Sequence, residues 1–274
     1  MSKQLHSLAY RMLGSVADAQ DVLQEAELKL FQADPQPDNP EAFMYRVVSN
    51  LCVDRLRKEK VRRKDYFGPW LPEPLVEDSA EVAELAEELS LGFVLMLERL
   101  SPGERIVFVL REGFDFSFAE IAEILGVSTA NARQRAHRAR KRLADGRMPS
   151  DAPAQEQKSL LEALLMRMAE RDVDGIVALM SDDVVAYADG GGVVSAAIAP
   201  ITGAARITQV ALHITAKADE QGPLEFRLTR MNGGWGAVVT QNSAVHSCLQ
   251  IEVADGRIQS IYMVRNPEKL TQIQ

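Results

Sequence analysis

Cysteine is scarce. Only Cys52 and Cys248 occur in 274 residues, far apart and inside apolar-patterned segments, which argues against a disulfide framework or a cysteine-rich metal site and for buried thiols in a reducing compartment. Long hydrophobic runs are missing too. No stretch of about 18 uninterrupted apolar residues occurs, and "MSKQLHSLAYRMLGSVADAQ" has no apolar run leading to a small-residue cleavage site. A cytoplasmic chain with no membrane partner is expected. There is no internal repeat. With 46% hydrophobic and 26% charged residues, the chain has ordinary globular composition, and its length suggests about two domains.

Acid is absent where it would matter most. The net charge of -8 argues against general affinity for nucleic acid, yet Arg133 to Arg142, "RQRAHRARKR", contains no acid, and Arg55 to Lys64, "RLRKEKVRRK", has only Glu59. The intervening "VEDSAEVAELAEE" is acidic. Two cationic patches in an acidic chain point to two discrete phosphate contacts.

The first 65 or so residues have helical periodicity. "ADAQDVLQEAELKLF" places Val22, Leu23, Ala26, Leu30 and Phe31 on one face and Asp21, Gln24 and Glu25 on the other. After a proline-rich loop, "AFMYRVVSNLCVDRLRKEKVRR" predicts a second helix that buries Met44, Val47, Val48, Leu51 and Leu56 and gathers basic residues at its C-terminal end. A stiff segment, "YFGPWLPEPLVED", separates this from a second helical part, and "GRMPSDAPAQ" has the composition of a boundary. Beyond it, two amphipathic helices precede the strand-like runs "VVAYA", "LEFRLTRM", "WGAVVTQ", "SCLQIEVA" and "RIQSIYMV", punctuated by "DGGG", "NGG" and "DGR". That order predicts helices packed on a curved antiparallel sheet.

The most specific signal is "SFAEIAEILGVSTANARQRAHRARKRL". Phe118, Ile121, Ala122 and Leu125 form the stripe of a short helix, Gly126 ends it and Ser128 caps the next, which is helix-turn-helix spacing. Ala132, Ala136, Ala139 and Leu143 share one face of the second helix. Arg133, Gln134, His137, Arg138 and Lys141 share the other, where Arg and Gln suit guanine and adenine edges and the flanking cations suit phosphates.

"LERLSPGERIVFVLREGFDFSFAEIAEILGVS" resembles region 4 of the extracytoplasmic-function sigma factors of the sigma-70 family. "AYRMLGSVADAQDVLQEAELKLF" and "PEAFMYRVVSNLCVDRLRKEKVRRK" resemble their region 2. The resemblance implies a subunit that binds core RNA polymerase, at its clamp and flap regions, and directs it to promoter DNA. It implies that Asp21, Gln24 and Glu25 meet the polymerase. Asn39, Phe43, Tyr45, Arg46, Asn50, Arg55, Arg57, Arg62 and Arg63 would hold the downstream promoter element, with Phe43 and Tyr45 near exposed bases. Phe43 stands where these proteins often have tryptophan. Ser128, Thr129, Asn131, Arg133, Gln134, His137, Arg138 and Lys141 would read the upstream element.

From about residue 155 the chain resembles a SnoaL-like α+β cone, some of whose relatives are enzymes. Candidate acids and bases are Asp182, Asp183, Tyr187, Asp189, His213 and His246, and they form no constellation in sequence, so no catalytic residue, metal or cofactor is expected. A subgroup of these sigma factors carries such an extension, marked by "WLPEP", "DGGGK" and "NPDKL". Here these are Trp70, Leu71, Pro72, Glu73 and Pro74; Asp189, Gly190, Gly191 and Gly192 followed by Val193; and Asn266, Pro267, Glu268, Lys269 and Leu270. The resemblance implies that the extension is a built-in regulator packed on the linker. It leaves room for an unidentified small-molecule effector in the cone. The expected layout is region 2 over 1–66, a linker over 67–89, region 4 over 90–146, a second linker over 147–154, the SnoaL-like domain over 155–265 and a tail over 266–274. The rival readings are a plain helix-turn-helix repressor and a SnoaL-like enzyme fused to a DNA-binding unit.

Overall fold

The computed structural model describes residues 2–62, 65–77, 82, 86, 89–144 and 152–273. The chain divides into two compact units, one of Met1–Asp65 with Phe93–Met148 and the other of Tyr66–Gly92 with Pro149–Gln274.

The first unit is helical. It holds α1 (Ser2–Leu13), α2 (Val16–Phe31), α3 (Pro40–Arg62), most of α4 (Leu91–Leu97), α5 (Pro102–Phe108), α6 (Phe118–Leu125) and α7 (Thr129–Ala144). Gly14, in the left-handed region at φ 66°, breaks α1 from α2. The Ser15 hydroxyl then caps α2 by accepting from the Asp18 amide at 3.2 Å. Leu5, Leu8, Met12, Val22, Val48 and Cys52 are buried in the core of these helices. The face expected of α2 is narrower than its sequence suggests. Ala19, Val22 and Ala26 are buried, but Phe31 is 84% exposed. At 100° per residue Phe31 sits about half a turn around the helix from Val22, so it cannot share that stripe.

The first unit also joins its early and late helices through polar and aromatic contacts. Arg105 on α5 is buried, pairs with Glu98 and donates to the Arg11 carbonyl at 2.8 and 3.0 Å. The Tyr45 ring on α3 meets Phe116 edge-on, with centroids 4.9 Å apart.

The second unit packs α8 (Ala154–Glu170), α9 (Val173–Ala178) and α10 (Ala204–Asp219) with a six-stranded sheet in the order β2-β1-β6-β5-β4-β3. The strands are β1 (Met180–Asp189), β2 (Ile201–Thr202), β3 (Leu224–Met231), β4 (Gly234–Gln241), β5 (Ala244–Ala254) and β6 (Arg257–Val264). All ladders are antiparallel except β1 with β6, which is parallel. Three tight hairpins link β3 to β6. Asn232-Gly233, Asn242-Ser243 and Asp255-Gly256 each take positive φ at both central positions, the twist-compatible geometry of two-residue hairpins. Leu161, Leu164, Ile176, Val184, Leu249, Ile251 and Ile258 form the core. Cys52 and Cys248 are both buried free thiols, and burial pushes each up to about 12. Among the described residues no helix is long and apolar enough to cross a membrane.

Candidate nucleic-acid interface and linker clasp

The helix-turn-helix is built by local chemistry. Ser117 and Glu120 close a capping box at the start of α6. Gly126 at φ 63° ends it, and the Val127 amide reaches back to the Ala122 carbonyl at 3.0 Å, a Schellman closure that leads into the next helix. Ser128 then caps α7, accepting from the Asn131 amide at 3.2 Å. Ala132, Ala136, Ala139 and Leu143 are buried, so α7 lies close on its scaffold. Arg133, Gln134, His137, Arg138 and Lys141 are all exposed, whereas Thr129 and Asn131 are half-buried.

Beneath that surface lies a carboxylate that the sequence did not single out. Glu104 on α5 is 3% exposed. It accepts from the Ser101 amide and hydroxyl at 3.0 and 2.6 Å, from Arg138 Nε at 3.2 Å and from Arg142 Nη1 at 2.6 Å. Burial alone would raise its pKa. The Ser101 hydrogen bonds and the two guanidiniums outweigh burial and hold it below the usual carboxylate range. Arg138 is thereby held in a fixed orientation on the α7 surface. Arg133 lies over the Phe118 ring at 5.9 Å.

The expected downstream and polymerase-facing residues occupy more varied places. Arg46, Asn50 and Arg57 are exposed, Arg57 pairing with Asp54 at 2.9 Å, and Phe43 is half-buried. Asn39 caps α3 by accepting from the Ala42 amide at 3.0 Å. Tyr45 is 4% exposed, with its hydroxyl on Gln4 at 3.0 Å, so its ring is packed away from solvent in this arrangement and is not poised for a base. The reason is tertiary: Phe114 and Phe116 cover it from a later part of the chain. Asp21 and Arg55, expected to face different partners, pair with each other at 3.0 Å, and Asp18 joins them at 2.7 Å. Gln24 and Glu25 are exposed, Glu25 pairing with Lys29 at 3.1 Å. The Arg62 side chain and Arg63 lie outside the described residues.

Within the second unit the three short motifs meet at one buried carboxylate. Asp189, at the end of β1, is 0% exposed. One oxygen accepts from the Tyr66 hydroxyl at 2.5 Å and the Gly191 amide at 3.0 Å, while the other accepts from the Leu71 amide at 2.8 Å and Lys269 Nζ at 2.7 Å. Lys269 also donates to the Leu71 carbonyl at 2.5 Å and lies 4.3 Å over the Trp70 ring. The Asp189 carbonyl takes the Arg265 and Asn266 amides at 2.7 and 2.9 Å. The glycines are required by this crowding. Gly191 has φ 62°, and a Cβ there would fall 2.4 Å from Asn266 Nδ2. A Cβ on Gly190 would fall 2.3 Å from the Val194 carbonyl oxygen. Gly192, also left-handed, completes the turn. Val193, where the motif would carry lysine, is 63% exposed, and the ammonium beside Asp189 comes from Lys269 instead.

The neighbouring described residues of the linker are held just as firmly. Leu71 is fully buried, Pro72 and Pro74 are buried, and Trp70 and Glu73 are half-buried. Asn232, which turns the β3–β4 hairpin, accepts from the Leu75 amide at 2.8 Å and donates to the Leu89 carbonyl at 3.0 Å. Val76 bridges Met231 in antiparallel fashion. In the tail, Asn266 caps a short 3-10 turn (Pro267–Lys269) by accepting from the Glu268 amide, and Leu270 is buried. Tyr66, Asn232 and Glu104 are the principal residues that sequence reasoning missed. The "NGG" hairpin signal located Asn232 without revealing that its side chain faces the linker.

The acid–base candidates are dispersed. Asp182 and Asp183 are exposed on β1, His213 is exposed on α10, and Tyr187 stacks on Tyr262 at 5.5 Å. His246 Nε2 lies 3.0 Å from Arg265 Nη2, and its pKa is lowered by burial and by that charge. No metal-binding group of three or more His, Cys, Asp or Glu occurs among the described residues.

Comparison with known proteins agrees with this anatomy. The family described as Sigma-70 region 2 matches residues 1–62, and that described as Sigma-70, region 4 matches 90–143. The chain is 35% identical to the ECF RNA polymerase sigma factor SigJ of Mycobacterium tuberculosis, over 99% of this chain and 91% of that protein. It is 28% identical to the probable ECF RNA polymerase sigma factor SigI of the same species, over 97% and 91%. The crystal structure of M. tuberculosis SigJ superposes with a TM-score of 0.81 at 33% identity, covering 98% of this chain and 95% of that one. Similarity that runs through both helical regions, the linker and the C-terminal sheet shows that the chain belongs to the extracytoplasmic-function sigma factors, which are transcription initiation factors and not enzymes.

Proposed function

We propose that the chain recruits core RNA polymerase to promoters in the cytoplasm and that its C-terminal unit regulates this by holding the linker between regions 2 and 4. The divisions are 1–66, 67–89, 90–146, 147–154, 155–265 and 266–274, as the motifs suggest. The exposed face of α2, with Asp21, Gln24 and Glu25, is the polymerase contact, directed at the clamp, and region 4 turns toward the flap. Leu28 and Phe31, 53% and 84% exposed along the same helix, add apolar area to that contact.

The downstream element is held by Arg46, Asn50, Arg57 and the basic end of α3, with Phe43 at the bases. Tyr45 serves there only after its packing on Phe116 is released. The upstream element is read by Arg133, Gln134, His137 and Arg138, with Lys141 and the cap residues Ser128, Thr129 and Asn131 near the backbone.

The observation that carries the regulatory reading is the buried Asp189 carboxylate, which accepts from Leu71 in the linker and from Lys269 in the tail. A linker fixed at Trp70–Pro74 has less freedom to set the span between two promoter elements. The test is run-off transcription from the promoter upstream of this protein's own gene. A promoter-specific transcript that needs both the chain and core polymerase supports the reading. Tight duplex binding without polymerase, and no transcript with it, would favour a repressor and overturn it.

A further inference from the structure

The second unit contains a cavity that the linker clasp does not use. It lies among α8, α10 and the sheet, and Leu164, Ile176, Ile207, Ile214 and Met263 are among its apolar lining. Counted by the positions open to the centre of a water molecule, its volume is about 80 Å³. A single water needs roughly 10–15 Å³ on that measure, so the space suits an apolar body rather than one trapped solvent molecule. Of the acid–base candidates only Tyr187 lines it, and Tyr187 stacks on Tyr262.

Arg265 is the one charged residue in that lining. Its guanidinium donates to the Ser195 carbonyl and, at 3.0 Å, to His246 Nε2. A guanidinium can only donate, so His246 Nε2 accepts and Nδ1 carries the hydrogen toward Ser247 Oγ at 3.2 Å, in keeping with a His246 pKa lowered by burial and then by the Arg265 charge. Both partners of the guanidinium are therefore neutral. Arg265 Nε is buried with no hydrogen-bond partner, and among the described residues no carboxylate lies within ion-pair distance of Arg265. A half-buried cation without a counter-charge and an orphaned buried N–H are both costly, and one carboxylate would answer both.

We propose that this cavity binds a small apolar monocarboxylate of medium-chain fatty-acid size, with its chain among the aliphatic residues and its carboxylate on Arg265. The anchor adjoins the clasp, because the Arg265 amide donates to the Asp189 carbonyl and Asn266 follows directly. The site thus gives the regulatory unit a ligand class. It deepens the reading of that unit as a regulator, but its test involves no polymerase, so the two can fail separately.

The test titrates octanoate, octan-1-ol and octylamine into the full-length chain by calorimetry, and follows ¹³C-methyl signals of methionine by NMR. Saturable octanoate binding about tenfold tighter than octanol is expected. Shifts should be confined to Met168, Met180 and Met263, which line the cavity, with Met44 and Met96 unmoved. Arg265→Gln should remove the preference for octanoate. Ala211→Trp, which fills the cavity and leaves Arg265 in place, should abolish binding, and circular dichroism checks that both variants fold. Absence of saturable binding, equal affinity for octanol, or shifts spread over all the methionines would overturn the proposal, whether or not either variant folds.

Discussion

Replacing Asp189 by Asn tests how much of the second unit depends on one carboxylate. The side chain is fully buried and faces four donors, one of them an ammonium. Asparagine keeps a single acceptor oxygen and turns an NH₂ toward groups that also donate, so at least one pair of contacts fails. Hydrogen bonds to a charged group contribute about 1.5–3 kcal/mol each, and removing one partner of a buried ion pair costs about 3–5 kcal/mol. We expect Asp189→Asn to lower the stability of this unit by about 3–5 kcal/mol. The chain has two tryptophans, Trp70 and Trp235, and both belong to the second unit, so intrinsic fluorescence reports on it selectively. With a urea m-value near 2 kcal/mol/M, the midpoint should fall by about 1.5–2.5 M. Lys269→Met in the same background should cost much less than it does alone, because its partner charge has already gone. A midpoint shift below about 0.5 M, or strict additivity of the two substitutions, would refute the reasoning.

Leu71→Ala removes a fully buried side chain from the linker and should cost about 2–5 kcal/mol by the same fluorescence assay, with faster hydrogen exchange at the Leu71 amide; unchanged exchange would show that the linker is not seated by packing. Glu104 has a folded pKa below its ordinary value of 4.5, so its contribution is fully present above that value and is lost as pH falls from there through the lower folded pKa. Glu104→Gln should therefore lower thermal stability at pH 7 and flatten the acid limb of the stability profile. Gln134→Ala in the polymerase-bound chain should relax base preference at one upstream position at a cost of about 1–3 kcal/mol, whereas Lys141→Ala should weaken binding evenly across sequences and reduce its salt dependence.

The helix-turn-helix was legible because its determinants are local. The Ser128 cap, the Gly126 stop and the alanine face of α7 all act within one or two turns, and the periodicity that predicts burial also exposes Arg133, Gln134 and Lys141. The strands were legible through alternation and through two of the three positive-φ hairpins, at "NGG" and "DGR", whereas the Asn242-Ser243 turn was not anticipated and nothing local signals that β1 pairs in parallel with β6. The helix over Ala204–Asp219 was not anticipated, though its sequence carries Ile207, Ala211 and Ile214 at helical spacing. The burial of Tyr45 was not legible because Phe114 and Phe116, which pack on it, lie far along the chain. The same holds for Asp189. Its turn was visible in "DGGG", but the burial of its carboxylate depends on Tyr66, Leu71 and Lys269, brought from two distant segments.

The central claim is that the clasp between linker and tail governs promoter use, and run-off transcription with purified core polymerase tests it most directly. The full chain is compared with Asp189→Asn, with a chain lacking 266–274 and with a chain lacking 150–274. With the tail, through its clasp on Asp189, supporting activity and the body of the C-terminal unit restraining it, the account predicts that the first two changes lower transcript yield alike, while removal of the whole C-terminal unit relieves its restraint and raises yield again. Equal yield from all four proteins would contradict it.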